Sequence, residues 1–320
     1  MSDVLQPPSL SLSRLLLLGA SSVVLCLSYL MAVFTPFPVA IATILYGRLK
    51  GYAVALLGFS ICIVLGLTLM KGDFTGAGSY LLLSFVGLLI AEILRKDWAP
   101  VRSLLFAGLS LIAIIVASVG VTLKTQKLDL HAVVTNEITR IQDQLKLAQK
   151  EGTLQQGLDE IGLAQPAVEL ATQTLKTFPG YFIMGIFFVL WVNSYLALKA
   201  RRLLQPSLDH KYDERSLLDF KMPLWGVYFV ITGLVLVLVA DKIPYGDFAG
   251  MTLLRMIAVF YFFQGFGIFL SALNHYGILG FFRTLIVMMI VFFVPWLLAL
   301  LGLFDTWFDF NNKLKKQVSN

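Results

Sequence analysis

A chain of 320 residues in which 58% are hydrophobic and 14% charged stands apart from water-soluble domains, which carry roughly 45–50% apolar and about 25% charged residues. Its mean hydropathy of +0.81, together with repeated apolar runs near the roughly 20 residues that span hydrocarbon as a helix, excludes a soluble globular class and predicts an all-α, polytopic transmembrane helical bundle. The net charge of +6 is scattered over loops without aromatic interleaving, which argues against nucleic acid as a partner and for membrane topology and anionic lipid.

The first apolar run, residues 15–34, follows a polar start with the single Arg14. One basic residue and no A-x-A-like cleavage site make a poor signal peptide, so a retained helix is expected. Residues 36–47 open on Pro36-Phe37-Pro38 and close before Arg48 and Lys50. That stretch is too short to cross untilted and reads as a short helix or a re-entrant segment. Full-length runs follow at about 51–70, 76–94 and 101–123, bounded by Lys71, Asp73, Arg95, Lys96, Asp97 and Arg102.

The membrane pattern then breaks from Lys124 to Thr177. Leu130, Val134, Ile138, Ile141, Leu145 and Ala148 recur at the spacing of an amphipathic stripe, and a weaker stripe, Val168, Ala171, Leu175 and Phe178, follows Pro166. Two helices joined across Gly152, Gly157 and Gly162 are expected, forming an extracytoplasmic insertion at 124–178 between transmembrane regions at 1–123 and 179–320. Apolar runs resume at 181–198, 223–240, 252–273 and 277–303, the last interrupted by Pro295 and therefore one kinked helix or a broken pair. The count is about eight full spans plus one short helix.

Lys and Arg of short loops stay in the cytoplasm. Arg14, the 48–50 turn, the 95–102 turn and the 199–221 loop, the densest basic cluster, fall on one side if 36–47 crosses. The 124–177 segment and the 241–247 turn then lie outside, and the protein is expected to be multi-pass in a bacterial cytoplasmic (inner) membrane. Cys26 and Cys62 each stand alone in an apolar run, which predicts free thiols.

His131, His210 and His275 occupy three separate loops at no metal or nucleophile–base spacing. Gly72 to Gly78 lacks the lysine of a phosphate loop. No catalytic constellation, metal set or cofactor motif is found, so an enzyme is not expected. Small residues four apart, such as Gly47/Gly51, Gly72/Gly76 and Ala113/Ala117, suit close helix packing. Polar groups inside apolar runs usually face an interior, and they are Glu92, Asn193, Arg255 and Gln264. Glu92 reads as a helix-end ion pair with Arg95 and Lys96. Arg255 lies about one turn inside its run and Gln264 nine residues further, so the pair is a candidate cavity lining. Snorkelling and interhelical hydrogen bonding are the structural alternatives.

The stretch Leu301-Gly-Leu-Phe-Asp-Thr-Trp-Phe-Asp-Phe310, Gln264-Gly265, and Pro36-Phe-Pro38 with Tyr46-Gly47-Arg48 and Gly51 together resemble the YybS-like family of bacterial membrane proteins. Asn311 stands where that family usually has a basic residue. The resemblance implies six N-terminal helices similar to the S components of energy-coupling-factor transporters, in which an outward pocket holds a small molecule and separate energising subunits hydrolyse ATP. The A-x-x-x-A motif of the first S-component helix is absent, since Val24 follows Ala20. The implied ligand site would draw on Arg255, Gln264, Asn193, Tyr181, Pro36 and Phe37. The function read from this is a binder or transporter of a small solute or lipid-like molecule. The alternative is a scaffold or assembly factor that recruits protein partners.

Overall fold

The computed structural model describes residues 11–28, 31–69, 74–96, 98–150, 163–204, 211–243, 245–310 and 313. Lys71, Gly72, Asp73, Asp97, Gly152, Gly157, Gly162, His210 and Asn311, which the sequence singles out, lie outside the described residues. All regular structure among the described residues is helical, one of the two forms, with the closed barrel, in which a chain satisfies its own backbone in hydrocarbon.

The helices are α1 (Leu12–Leu27), α2 (Pro36–Tyr46), α3 (Arg48–Thr68), α4 (Thr75–Arg95), α5 (Pro100–Gln126), α6 (Leu130–Lys150), α7 (Ala167–Leu204), α8 (Arg215–Leu218), α9 (Trp225–Leu238), α10 (Gly246–His275), α11 (Gly280–Phe293) and α12 (Pro295–Phe308). Five of them, α3, α4, α5, α7 and α10, are long and apolar enough to cross a membrane, and α11 with α12 makes a sixth if the bent pair is one span. The expectation of eight full spans is larger because apolarity continues through turns that end helices. α1 stops after 16 residues, where the Ser28 hydroxyl and N–H both bond the Val24 carbonyl, and a 3₁₀ turn, Ala32–Phe34, precedes α2. α9 has 14 residues, since the chain tightens into the turn bonds Ala240 N to Val237 O and Lys242 N to Val239 O. The run through Pro295 is a broken pair bent by 94°. Proline has no N–H to continue the ladder and its ring collides with the preceding turn.

α7 is one helix of 38 residues with Pro179 inside it, so the second stripe of the insertion continues directly into the apolar run across the expected boundary at 178/179. In α6 the buried face also differs from the expected stripe. Val134, Ile138 and Leu145 are half-buried, but Ile141 is exposed and Gln142 buried. The Gln142 amide donates to the carbonyls of Leu163 and Gln165 at 2.8 and 2.9 Å, and those bonds outweigh one partly exposed isoleucine.

The chain divides into two compact units. The first comprises Met1–Gly108, Ile186–Pro223 and Val259–Asn320, and the second Leu109–Gly185 and Leu224–Ala258. α5, α7 and α10 contribute residues to both. In the first unit α2 is the central element, with Val39, Ala40 and Ala42 wholly buried, packed with Val54, Leu15, Leu18 and Leu88. At about 16 Å long it cannot bridge roughly 30 Å of hydrocarbon. Gly47 joins α2 to α3 at φ +91°, a left-handed conformation that a β-carbon would strain. A second cluster, Val23, Cys62, Ala77 and Tyr80, is tied by the Tyr80 and Ser22 hydroxyls, 2.8 Å apart. Cys26 and Cys62 are free. Phe281, Phe282, Phe292, Phe293 and Trp296 are exposed along α11 and α12, a surface suited to lipid and not to water.

Candidate functional site

Two of the site residues read from the sequence share α10 yet fall in different units, Arg255 in the second and Gln264 in the first. Each has its own surroundings.

In the second unit the Arg255 guanidinium lies over the Tyr181 ring, 4.5 Å from its centroid. The approach is possible because residue 180 is glycine. A β-carbon there would sit 2.8 Å from Arg255 Cδ and 3.3 Å from Thr252 Cα. Cation–π contact contributes about 0.5–2 kcal/mol, but it satisfies no N–H. Arg255 Nη1 is buried without a hydrogen-bond partner among the described residues, and so is Thr252 Oγ1 one turn earlier. Each orphaned polar group costs about 1–3 kcal/mol. α10 has 30 residues and so a length of about 45 Å, and if it is centred on roughly 30 Å of hydrocarbon, Arg255 lies about 6 Å inside the boundary.

The same unit holds an open cleft of about 520 Å³. His131 lines it from α6, Thr172, Leu175 and Lys176 from α7, Ala240 and Tyr245 from the α9–α10 turn, and Gly246, Asp247 and Phe248 from the first turn of α10. His131 Nε2 is 3.1 Å from Thr172 Oγ1. Tyr245 has φ +62°, a left-handed conformation held in a non-glycine residue at a cost of about 1–2 kcal/mol, and its side chain is exposed at the cleft edge. The cleft gathers the 124–177 segment and the 241–247 turn, the two segments that the charge alternation assigns to one side. Tyr181 and Arg255 are not in its lining. They follow Lys176 on α7 and Asp247 on α10 by about 8 and 12 Å of helix rise.

Gln264 belongs to a polar knot in the first unit. Its Oε1 accepts the Met222 N–H and its Nε2 donates to Asp305 Oδ2, both at 2.8 Å. Gln264 and Asp305 are each 1% exposed. Beside them α10 and α12 touch backbone to backbone: a β-carbon on Gly265 would be 1.8 Å from the Leu298 carbonyl, and one on Gly302 would be 2.0 Å from that of Tyr261. Three members of the basic cluster around 199–221 are engaged in internal contacts. Buried Arg201 donates to Leu94 O and Tyr212 O at 3.0 and 2.7 Å. Arg202 pairs with Glu214 at 2.6 Å, and Lys221 with Asp309 at 2.7 Å, which pushes the Lys221 ammonium above its ordinary pKa.

The remaining sequence candidates are structural neighbours of α2. Asn193, fully buried, donates to Val33 O at 2.7 Å and to Val189 O of its own helix at 2.8 Å, pinning the 3₁₀ turn ahead of Pro36. Pro36 is buried and Phe37 half-buried at the start of α2, where proline suits the first turn. Glu92 pairs with Arg48 of α3, whose Nε lies 2.9 Å from Oε2, while Lys96 is only at 4.0 Å. The expected pair within one helix end is thus chiefly a link between α3 and α4.

A family profile described as predicted membrane protein (DUF2232) matches residues 12–306. The chain belongs to this family. No curated protein and no solved structure matches it. The residues matched to DUF2232 hold Arg255, Thr252, Tyr181, the cleft and the Gln264–Asp305 bond, whereas Asp309 falls beyond them. Among the described residues, no three His, Cys, Asp or Glu side chains converge on a metal-sized site. Asp305 lies two residues past the last apolar run, 277–303, and so does not stand out as a polar group inside a span, and neither does Thr252, an uncharged residue at the start of its run. Its spacing of three from Arg255, one helix face, was the available signal.

Proposed function

We propose that this member of the DUF2232 family is a non-enzymatic, multi-pass binder of a small solute or lipid-like molecule in a bacterial cytoplasmic membrane. On the sequence resemblance drawn above it would act as an S component of an energy-coupling-factor transporter does, with any ATP hydrolysis left to separate subunits. The observation that carries the reading is the cleft of about 520 Å³ in the second unit. That size lies within the roughly 300–1,000 Å³ of small-molecule sites, and an apolar floor with a few polar groups is their usual chemistry. Leu175, Phe248 and Ala240 supply the floor, and Lys176, Asp247, His131 and Thr172 the polar groups. Lys176 and Asp247 carry opposite charge, which suits a solute bearing both an anionic and a cationic group. By the basic-loop asymmetry the cleft opens outside the cytoplasm.

The test is native purification followed by mass spectrometry of the wild-type protein and of Lys176→Met and Asp247→Asn. A small molecule bound to the wild type and depleted about tenfold in either variant supports the reading, since loss of a charge-assisted hydrogen bond is worth about that factor. A stoichiometric protein partner with no small molecule would instead favour a scaffold that recruits proteins, and a small molecule retained equally in all three would move the site elsewhere.

A further inference from the structure

We propose that Arg255 and Thr252 form a binding site for an oxyanion, a carboxylate or a phosphate ester, covered by the ring of Tyr181. This goes beyond the cleft reading and does not depend on it, because none of the three residues lines the cleft. Two independent features point to a ligand. Arg255 Nη1 and Thr252 Oγ1 are buried polar atoms without a partner, three residues apart on α10 and therefore on one face. Both flank Gly180 of α7, where only the missing β-carbon admits the Arg255 side chain and the Thr252 backbone. The chain thus holds a guanidinium N–H and a hydroxyl, which can donate its O–H, both buried and unpartnered on one helix face, with the guanidinium lying against an aromatic ring.

A group that is all acceptor and negatively charged completes that arrangement. An oxyanion takes one hydrogen bond from each donor and offsets the insertion cost of the guanidinium. A simple snorkelling arginine turns its nitrogens to water or headgroups, whereas Arg255 Nη1 is buried and its guanidinium lies against the Tyr181 ring. Tyr181 is 59% exposed, so the site borders the surface from which an anion would enter. Such an anion has two sources, the headgroup of an anionic lipid or a soluble oxyanion, and both present the same atoms to Arg255.

The wild-type protein, Arg255→Gln, Arg255→Lys and Thr252→Val, purified in a neutral detergent, would be titrated in native mass spectrometry with phosphatidylglycerol, with phosphatidylcholine and with inorganic phosphate. A thermal unfolding curve without added anion serves as the folding control. The expected result is selective binding of phosphatidylglycerol over phosphatidylcholine by the wild type, weakened about tenfold or more in Arg255→Gln. Weakening is smaller in Arg255→Lys, which keeps the charge but loses the planar fork, and severalfold in Thr252→Val, which keeps the shape and removes the hydroxyl. Binding of inorganic phosphate with the same variant ranking assigns a soluble oxyanion, and its absence assigns the lipid headgroup. Failure of the wild type to bind phosphatidylglycerol or phosphate selectively overturns the site, as does equal binding by wild type and Arg255→Gln. If Arg255→Gln does not fold, unchanged binding in Thr252→Val overturns it.

Discussion

Gln264 is held at both ends of its amide, with its oxygen taking the Met222 N–H and its nitrogen serving Asp305. Replacing it with leucine would keep the volume and strip a buried N–H and a buried carboxylate oxygen of that partner, at about 1–3 kcal/mol for each group. For a protein of this size each kcal/mol lowers the unfolding temperature by about 2–4 °C or less. Gln264→Leu is therefore expected to unfold several degrees below the wild type in a detergent melt, with anion binding at Arg255 unaffected; an unchanged melting temperature would mean that the amide bonds are replaced by others. The residue scale also shows where single-residue reading stops. Arg255 and Gln264 were recognisable as polar intruders in one apolar run, but their nine-residue spacing suggested one cavity. Gln264 is instead turned to Asp305 and Met222, and Arg255 to Tyr181.

Among the helix contacts, the crossing of α10 with α12 leaves no room for a β-carbon on either side. Gly265 and Gly302 bring the two backbones within reach of direct contact, a device common where helices associate without a hydrophobic driving force. Gly302→Leu has no space and must push α12 away, carrying Asp305 off Gln264. It is expected to give little folded, monodisperse protein by size-exclusion chromatography. Gly78→Ala, in α4 with nothing near the added methyl, should be neutral or stabilising by up to about 1 kcal/mol. Equal yields and melting temperatures for the two would refute the packing assignment. The sequence listing of four-residue pairs within one helix missed this crossing, since its partners lie 37 positions apart along the chain.

At the scale of the whole molecule the basic-loop asymmetry predicts that a reporter active only outside the cytoplasm is active when fused near Gln155 and silent near Asp209, both outside the described residues. The reverse pair of results would invert the orientation and turn the cleft inward. Class was legible throughout: the helices, the short element at 36–47 and the fault at Pro295 follow from apolar run length and proline chemistry, which are properties of consecutive residues, whereas α5 runs unbroken through Lys124 to Gln126, since a lysine interrupts hydropathy and not the backbone ladder. Helix ends at Ser28 and Val239 were not legible, because turns inside an apolar run are as hydrophobic as the helices they close. Nor were the partners. Arg48 with Glu92, Gln142 with the carbonyls before α7, Asn193 with Val33 and Gln264 with Asp305 depend on which helix faces come to lie together, and a hydropathy window holds no information about that. Run length alone establishes that this chain enters lipid as helices, because hydrocarbon leaves a chain only helices or a closed barrel and runs near 20 residues have the length of a spanning helix, not of a strand. Which polar groups are satisfied was settled by the packing, because satisfaction is a matter of distance between elements: Gln264 and Gln142 find partners, while Arg255 Nη1 and Thr252 Oγ1 are among the buried atoms that do not.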